Sequence, residues 1–249
     1  MADEANIRAA IRGKARGPDP LANSPTGAGG RMIPFKNRQE AGRLLGEACR
    51  ELDAPSPLVL AIPRGGVVVG AGVARALAAP LDVIVPRKIG APHNPELAVG
   101  AVGPDGEVLV EEDHLRYLGV SREYLAAETA RQLGEIARRL RVYRGDRPAA
   151  EVRGRSVFVV DDGVATGLTM KVALRSVRSR GPSRLIVAVP VAPPHSWAEL
   201  LREADQGVCL HQPEPFYAVG QFYIDFEQTS DEEVKALLAA HNSWLEGEK

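Results

Sequence analysis

Two adjacent carboxylates, Asp161 and Asp162, stand directly before a loop of small and hydroxyl residues, Gly163-Val164-Ala165-Thr166-Gly167, which runs on through Leu168 to Thr169. An ionised aspartate can only accept hydrogen bonds, so a pair of them suits a ligand with neighbouring hydroxyl donors, as a ribose has. The loop suits a different group. A helix N-terminus exposes backbone N–H groups and the positive end of the helix dipole, which together hold a phosphate. Side by side, the two features describe a cradle for ribose 5-phosphate.

The flanking residues supply the elements such a cradle needs. Val157-Phe158-Val159-Val160 reads as a buried parallel strand ending at the acids. Met170, Ala173, Leu174 and Val177 recur at helical spacing beyond the loop, and Gly181-Pro182 closes that helix. A second junction of the same kind lies upstream. Leu58 to Ile62 is a strand, Pro63-Arg64-Gly65-Gly66 a loop, and Val67 to Ala79 a helix closed by Pro80. The two glycines let a ligand approach the backbone, and Arg64 offers a forked donor to phosphate oxygens, although a tight turn needing glycine reads the same way. The next strand, Leu81 to Val85, delivers Pro86-Arg87-Lys88 to the same sheet edge.

The stretch 157–169 is similar to the PRPP-binding signature of type I phosphoribosyltransferases: a hydrophobic strand, two acids, then Ala165-Thr166-Gly167-x-Thr169. The resemblance extends from about residue 32 to the C-terminus in order of elements. It implies an α/β fold, a doubly wound parallel sheet with an inserted β-hairpin flap and a small C-terminal hood. It implies that Gly163, Val164, Ala165, Thr166, Gly167 and Thr169 bind the 5′-phosphate of PRPP, and that Arg64, Gly65, Gly66, Arg87 and Lys88 bind its pyrophosphate. Asp161, Asp162, Arg87 and Lys88 take the catalytic roles. Mg²⁺ enters through PRPP, with Asp161 and Asp162 reaching it through water, and no direct protein ligand is assigned. The implied activity is transfer of a phosphoribosyl group to a nitrogenous base or similar acceptor, with release of pyrophosphate, by a homodimer. A regulator that binds PRPP without transfer, or an enzyme of another ribose phosphate, would use the same cradle. Gly163 departs from the branched apolar residue common at this place. No base-recognition segment of the adenine, hypoxanthine-guanine, uracil or orotate enzymes is visible, so the acceptor is open.

Two further segments bear on that acceptor. Residues 97–110 read as two strands joined by the turn Pro104-Asp105-Gly106. A hairpin cannot continue βαβ winding, and it resembles the family's flap, with Glu96 at its base. Near the end, Phe216, Tyr217, Phe222, Tyr223 and Phe226 are five of the chain's twelve aromatic residues. The resemblance makes this stretch a hood, with Phe216, Tyr217 and Tyr223 as acceptor-binding residues; a plug for the core is the competing reading.

Composition frames the rest. The 249 residues are 45% hydrophobic and 25% charged with a net charge of −1, which gives no overall attraction to nucleic acid or membrane. Cys49 and Cys209 form no disulfide framework, and neither an apolar leader nor a membrane span is visible, so a cytoplasmic location is expected. Residues 1–31 are rich in glycine and proline and are expected to be a flexible tail, with at most a short helix at 6–12; residues 32–249 form the domain. Asn37 and Glu40 resemble a capping box for a first helix, and Ser230 with Glu233 one for the last. A long helix from Ser121 to about Arg144 carries many arginines. Glu128 and Glu135 interleave with them and no RNA-binding aromatic motif accompanies them, so a solvated or subunit-facing surface is expected. The five histidines show no metal-ligand or triad spacing.

Overall fold

The computed structural model describes residues 11–13 and 34–247. Its centre is a six-stranded sheet formed by β1 (Ile11–Gly13), β2 (Pro57–Ala61), β3 (Leu81–Val83), β7 (Ser156–Val160), β8 (Arg184–Val191) and β9 (Gln206–His211), in the order β1-β9-β8-β7-β2-β3. The last five of that order are mutually parallel, and β1 pairs antiparallel to β9. Residues 11–13 correct the sequence expectation of a tail or the end of a short helix, because they form this edge strand; the rest of 1–31 lies outside the described residues.

Alternation along the strands fills a layer on each face. Val59, Ala61, Phe158, Val160, Ile186 and Ala188 face one side, under α1 (Arg38–Arg50), α2 (Gly65–Ala76), α4 (Arg122–Arg144) and α7 (Asp231–Gly247). Leu58, Leu60, Val157, Val159, Leu185 and Val187 face the other, under α5 (Leu168–Ser179) and α6 (Pro194–Glu203). With both faces covered, the strands have to be continuously apolar, as Val157–Val160 is.

Strand order fixes where a ligand can bind. The chain passes from β2 outward to β3 and later returns to β7 on the other side of β2, so the connections leaving β2 and β7 diverge. A crevice opens between them at the C-terminal strand ends. Ala61 pairs with Val160, and the Ile62 N–H donates to the Val160 carbonyl at 2.8 Å, so the two loops leave the sheet in register.

The hairpin expected at 97–110 is present and longer. It belongs to a second sheet of three antiparallel strands, β4 (Arg87–Ala91), β5 (Asn94–Val102) and β6 (Val108–Val110). Ala101 packs on Leu168 and Val172 of α5, while Ile89, Val99 and Val102 join Ile136 of α4 in the core. Most of this element is therefore a fixed wall. Its projecting part is the exposed tip Pro92-His93-Asn94-Pro95. The short helix α3 (Glu112–Tyr117) follows, with no buried residue and no clear apolar period to announce it. The side chain of Glu96 lies outside the described residues.

The expected caps form. Asn37 accepts from the Glu40 N–H at 3.0 Å, while the Glu40 carboxylate takes the Lys36 N–H instead of closing the box. Ser230 and Glu233 make both reciprocal bonds. Helix α2 begins two residues earlier than its apolar pattern indicates, because Gly65 and Gly66 are its first turn and not loop.

Candidate active site

One cavity of about 620 Å³ opens over the crevice. The β2 loop brings Pro63, Arg64 and Gly65 to it, the β7 loop brings Asp161 and Asp162, and Arg87 with Lys88 arrives at the start of β4. Three segments separated in sequence thus meet, whereas Gly66 and the expected phosphate-loop residues Gly163, Val164, Ala165, Thr166 and Gly167 are not in this lining, and Ala165 and Thr166 line a second cavity beside it. The remaining wall comes from α4, through Tyr124, Glu128, Arg131 and Gln132, from Arg38 of α1, and from Phe226.

The acids lie directly on the first turn of α2. A Cβ on Gly65 would stand 2.0 Å from Asp162 Oδ2, and one on Gly66 would stand 2.8 Å from Asp161 Oδ1. A side chain at 65 would have to displace the Asp162 carboxylate and Arg38, and one at 66 would meet the Asp161 backbone, its Cα at 2.9 Å. The contact sets two negative groups against the positive end of a helix, which favours their ionised form. Burial acts in the opposite direction. It pushes the Asp161 carboxyl well above the usual range, with the neighbouring Asp162 charge adding to the effect. Asp162 is also raised by burial, and the Arg38 guanidinium opposes that rise.

Arg38 escapes the sequence reading. Its Nε donates to Asp162 Oδ2 at 2.6 Å, its Nη1 donates to the Glu227 carbonyl at 2.7 Å, and the guanidinium lies 3.8 Å from the Phe226 ring centre. Helix α1 can bring it there because it crosses α2 at close range: a Cβ on Gly42 would meet the Val69 carbonyl oxygen at 2.7 Å, and one on Gly46 would meet Ala76 Cβ at 2.7 Å. A sequence signal does exist. A cation in the first turn of a helix opposes the dipole, which marks Arg38 as one whose position an acidic partner from elsewhere would offset.

Beyond the acids, the Val164 N–H donates to the Val191 carbonyl and the Val164 side chain is buried. Val164 therefore anchors the loop, which corrects its assignment among the phosphate donors. Ala165 and Thr166 are exposed, and among the described residues no backbone acceptor takes the N–H of Ala165, Thr166 or Gly167. Ser196 Oγ donates to the Ala165 carbonyl at 2.5 Å and fixes the loop from α6. Gly163 is small for a specific reason: a Cβ there would meet Val219 Cγ1 at 2.5 Å and Val191 Cγ1 at 2.9 Å.

The three cations of the β2 and β4 segments differ from the other arginines nearby. Arg131 pairs with Glu128, Arg139 with Glu135 and Arg144 with Asp82. Among the described residues Arg64 and Lys88 have no carboxylate partner, and Arg87 Nε meets only the neutral Gln132 Oε1, at 2.9 Å. Burial and then the charge of Arg139 lower the Arg87 pKa, with Glu135 opposing the fall and Arg131 adding to it.

The aromatic expectations divide. Tyr223 is buried, stacks on Phe35 and Phe226, and donates its hydroxyl to the Asp162 carbonyl at 2.5 Å. Phe216 leans on the buried Phe222, and Tyr217 is 83% exposed. None of Phe216, Tyr217 and Tyr223 lines the cavity; Phe226 does. Phe222, Tyr223 and Phe216 thus follow the competing reading of a core plug, packed with Phe35 and Val219 against the acidic loop, and the one aromatic of the segment in the cavity lining is Phe226.

A five-stranded parallel sheet with this switch-point site and an inserted antiparallel sheet is the fold of the type I phosphoribosyltransferases. The chain matches the model of the phosphoribosyl transferase domain over residues 36–227, and it belongs to that family. A protein of Thermus thermophilus, solved as TT1426, is 47% identical; the match covers 84% of this chain and 99% of that one with a TM-score of 0.71. A protein of Mycobacterium tuberculosis named "Putative phosphoribosyl transferase Rv0571c" is 42% identical over 216 residues, which are 86% of this chain and 49% of that protein. The chain spans about half the length of the curated relatives it matches. Among the described residues no helix is long and apolar enough to cross a membrane.

Proposed function

We propose that this chain binds 5-phosphoribosyl 1-pyrophosphate with Mg²⁺ and transfers its phosphoribosyl group to an acceptor, releasing pyrophosphate. The observation that carries the reading is the convergence of Asp161 and Asp162 with Arg64, Arg87 and Lys88 on one cavity. Acceptor-only and donor-only groups share the lining, as a substrate with a vicinal diol on two carbons and a diphosphate on the neighbouring one requires.

In this reading, the acids accept the ribose hydroxyls and hold the anomeric carbon in place. The N–H groups of Ala165, Thr166 and Gly167 receive the 5′-phosphate at the start of α5, with Thr169 on the cavity side of the same turn. Arg64, Arg87 and Lys88 stabilise the charge that gathers on the departing pyrophosphate, which is where charge placement lowers the barrier. The donor set fits Mg²⁺: Asp161 and Asp162 line the same cavity as Arg64, Arg87 and Lys88, and would reach through water an ion held chiefly by substrate phosphates. When bound, Mg²⁺ neutralises the leaving diphosphate. The packed β4-β5-β6 wall and the tip 92–95 restrict water, the competing nucleophile. Cytoplasmic location and a homodimer belong to the same proposal and rest on composition and family.

Calorimetry with PRPP, with and without Mg²⁺, tests the cradle. Wild type binds only with Mg²⁺, and the double variant Asp161→Asn/Asp162→Asn binds at least about tenfold more weakly, since each charge-assisted hydrogen bond contributes about 1.5–3 kcal/mol. Pyrophosphate release across a panel of bases then finds the acceptor. Unchanged PRPP affinity in the double variant removes the assignment.

A further inference from the structure

From the sequence, helix α4 is expected to present a solvated or subunit-facing surface, yet its Tyr124, Glu128, Arg131 and Gln132 line the cavity. Glu128, Gln132 and Glu135 lie four and then three residues apart, on a single face. Both glutamates are committed. Glu128 receives two bonds from Arg131, at 2.8 and 2.6 Å, and Glu135 receives Arg138 and Arg139. The position between them is an amide, and it is the one that meets Arg87.

Gln132 is 4% exposed, and both ends of its amide are used. Oε1 accepts from Arg87 Nε at 2.9 Å, while Nε2 donates to Glu128 Oε1 at 2.7 Å. The second bond fixes the orientation of the first, because a reversed amide would turn its donors onto the guanidinium. The chain Arg131–Glu128–Gln132–Arg87 thus aims a guanidinium at the cavity through a partner that carries no charge. A carboxylate at 132 would offset the Arg87 charge and would set its own oxygen against that of Glu128, where Nε2 now donates.

We propose that Gln132 is a positioning residue for the anion site: it fixes Arg87 by Nε alone and leaves the full cationic charge, with the terminal nitrogens, for a diphosphate. This rests on reading the cavity as a PRPP site.

The test measures the affinity of the full chain for Mg²⁺ with inorganic pyrophosphate, and separately for ribose 5-phosphate. Gln132→Met keeps length and removes the acceptor; it should weaken pyrophosphate about three- to tenfold, the scale of one ordinary net hydrogen bond, because the bond lost orients the guanidinium and is not itself made to the ligand, and should leave ribose 5-phosphate unchanged. In an Arg87→Ala background the same change should have no effect, whereas a structural role would cost both ligands in both backgrounds. Gln132→Glu tests the neutrality of the partner: a tether alone predicts unchanged or tighter pyrophosphate binding, and the proposal predicts about tenfold weaker binding. Equal pyrophosphate affinity in wild type, Gln132→Met and Gln132→Glu overturns the role while leaving the PRPP site intact. Wild type that binds neither PRPP nor pyrophosphate overturns both.

Discussion

Replacing Arg38 by methionine isolates the charge that draws Asp162 toward its ionised form. The variant retains an apolar stem against Phe226 and loses the 2.6 Å bond to Asp162 and the 2.7 Å bond to the Glu227 carbonyl. The pair is well shielded, with side chains 11% and 15% exposed, so removal of one partner should cost about 3–5 kcal/mol where Asp162 is charged. At roughly 2–4 °C per kcal/mol for a chain of this size, the melting temperature at pH 8 should fall by about 6–20 °C. The deficit should depend on pH in one direction. Burial already holds the folded carboxyl above its unfolded value of about 3.9, and loss of Arg38 raises it further. Below the unfolded value both states are protonated and the charge penalty is absent. As pH rises toward the folded value the unfolded state ionises first, and stability is lost at up to about 1.36 kcal/mol per pH unit for one proton. Melting curves of wild type and Arg38→Met from pH 4.5 to 8 should therefore converge at the acid end. A deficit constant across that range would refute the electrostatic argument and leave Arg38 a packing residue.

The same burial acts on Asp161, so Asp161→Asn should melt higher than wild type at pH 8, by roughly 1.36 kcal/mol per unit of pKa elevation, with the gain vanishing near pH 4 and PRPP binding weakened at both; a lower melting temperature at pH 8 would contradict the direction. Gly65→Ala places a methyl 2.0 Å from Asp162 Oδ2, and ribose 5-phosphate affinity should drop at least about tenfold, a loss of roughly one charge-assisted hydrogen bond; intact affinity would show the carboxylate free to move. Phe226→Leu should raise the acceptor KM, whereas Tyr217→Leu and Tyr223→Leu should leave it near wild type, the reverse pattern restoring those two tyrosines as acceptor-binding residues.

What the sequence discloses follows from how local each cause is. Val157–Val160, the acids and the helix after Gly167 form one continuous stretch whose apolar run, glycines and spacing act on neighbouring residues, so strand, loop and helix are readable together. Arg64, Arg87 and Lys88 reach the cavity because parallel strands end on one edge, a rule of topology. Arg38 and Gln132 are not readable in the same way. Each draws its role from a partner far along the chain, 124 residues away for Arg38 and Asp162 and 45 for Gln132 and Arg87, and local periodicity describes only the helix that carries it. The aromatics are opaque for a related reason: which of Tyr223 and Phe226 faces the cavity depends on Phe35 pairing with Tyr223, a contact between the two ends of the described domain. Gly65 reads as loop because glycine is a poor helix former, and its cause lies in the carboxylate above it.

The register of β2 against β7 has a consequence for the order in which the polypeptide acquires its site. Gly65 and Asp162 are roughly 100 residues apart, and closing a loop of that length costs entropy that no local contact returns. During synthesis the first half of the cradle, Arg38 through Gly66, leaves the ribosome long before the acids exist, with apolar β2 lacking its neighbour on that side. Only when β7 emerges and zips against β2, Pro57 to Ser156 through Ala61 to Val160, do the two loops come together. Ligand-binding competence should thus appear in nascent chains as a step, and only after Val191, Ser196 and Tyr223, which anchor the acidic loop, have followed β7 out, not as a gradual gain with length.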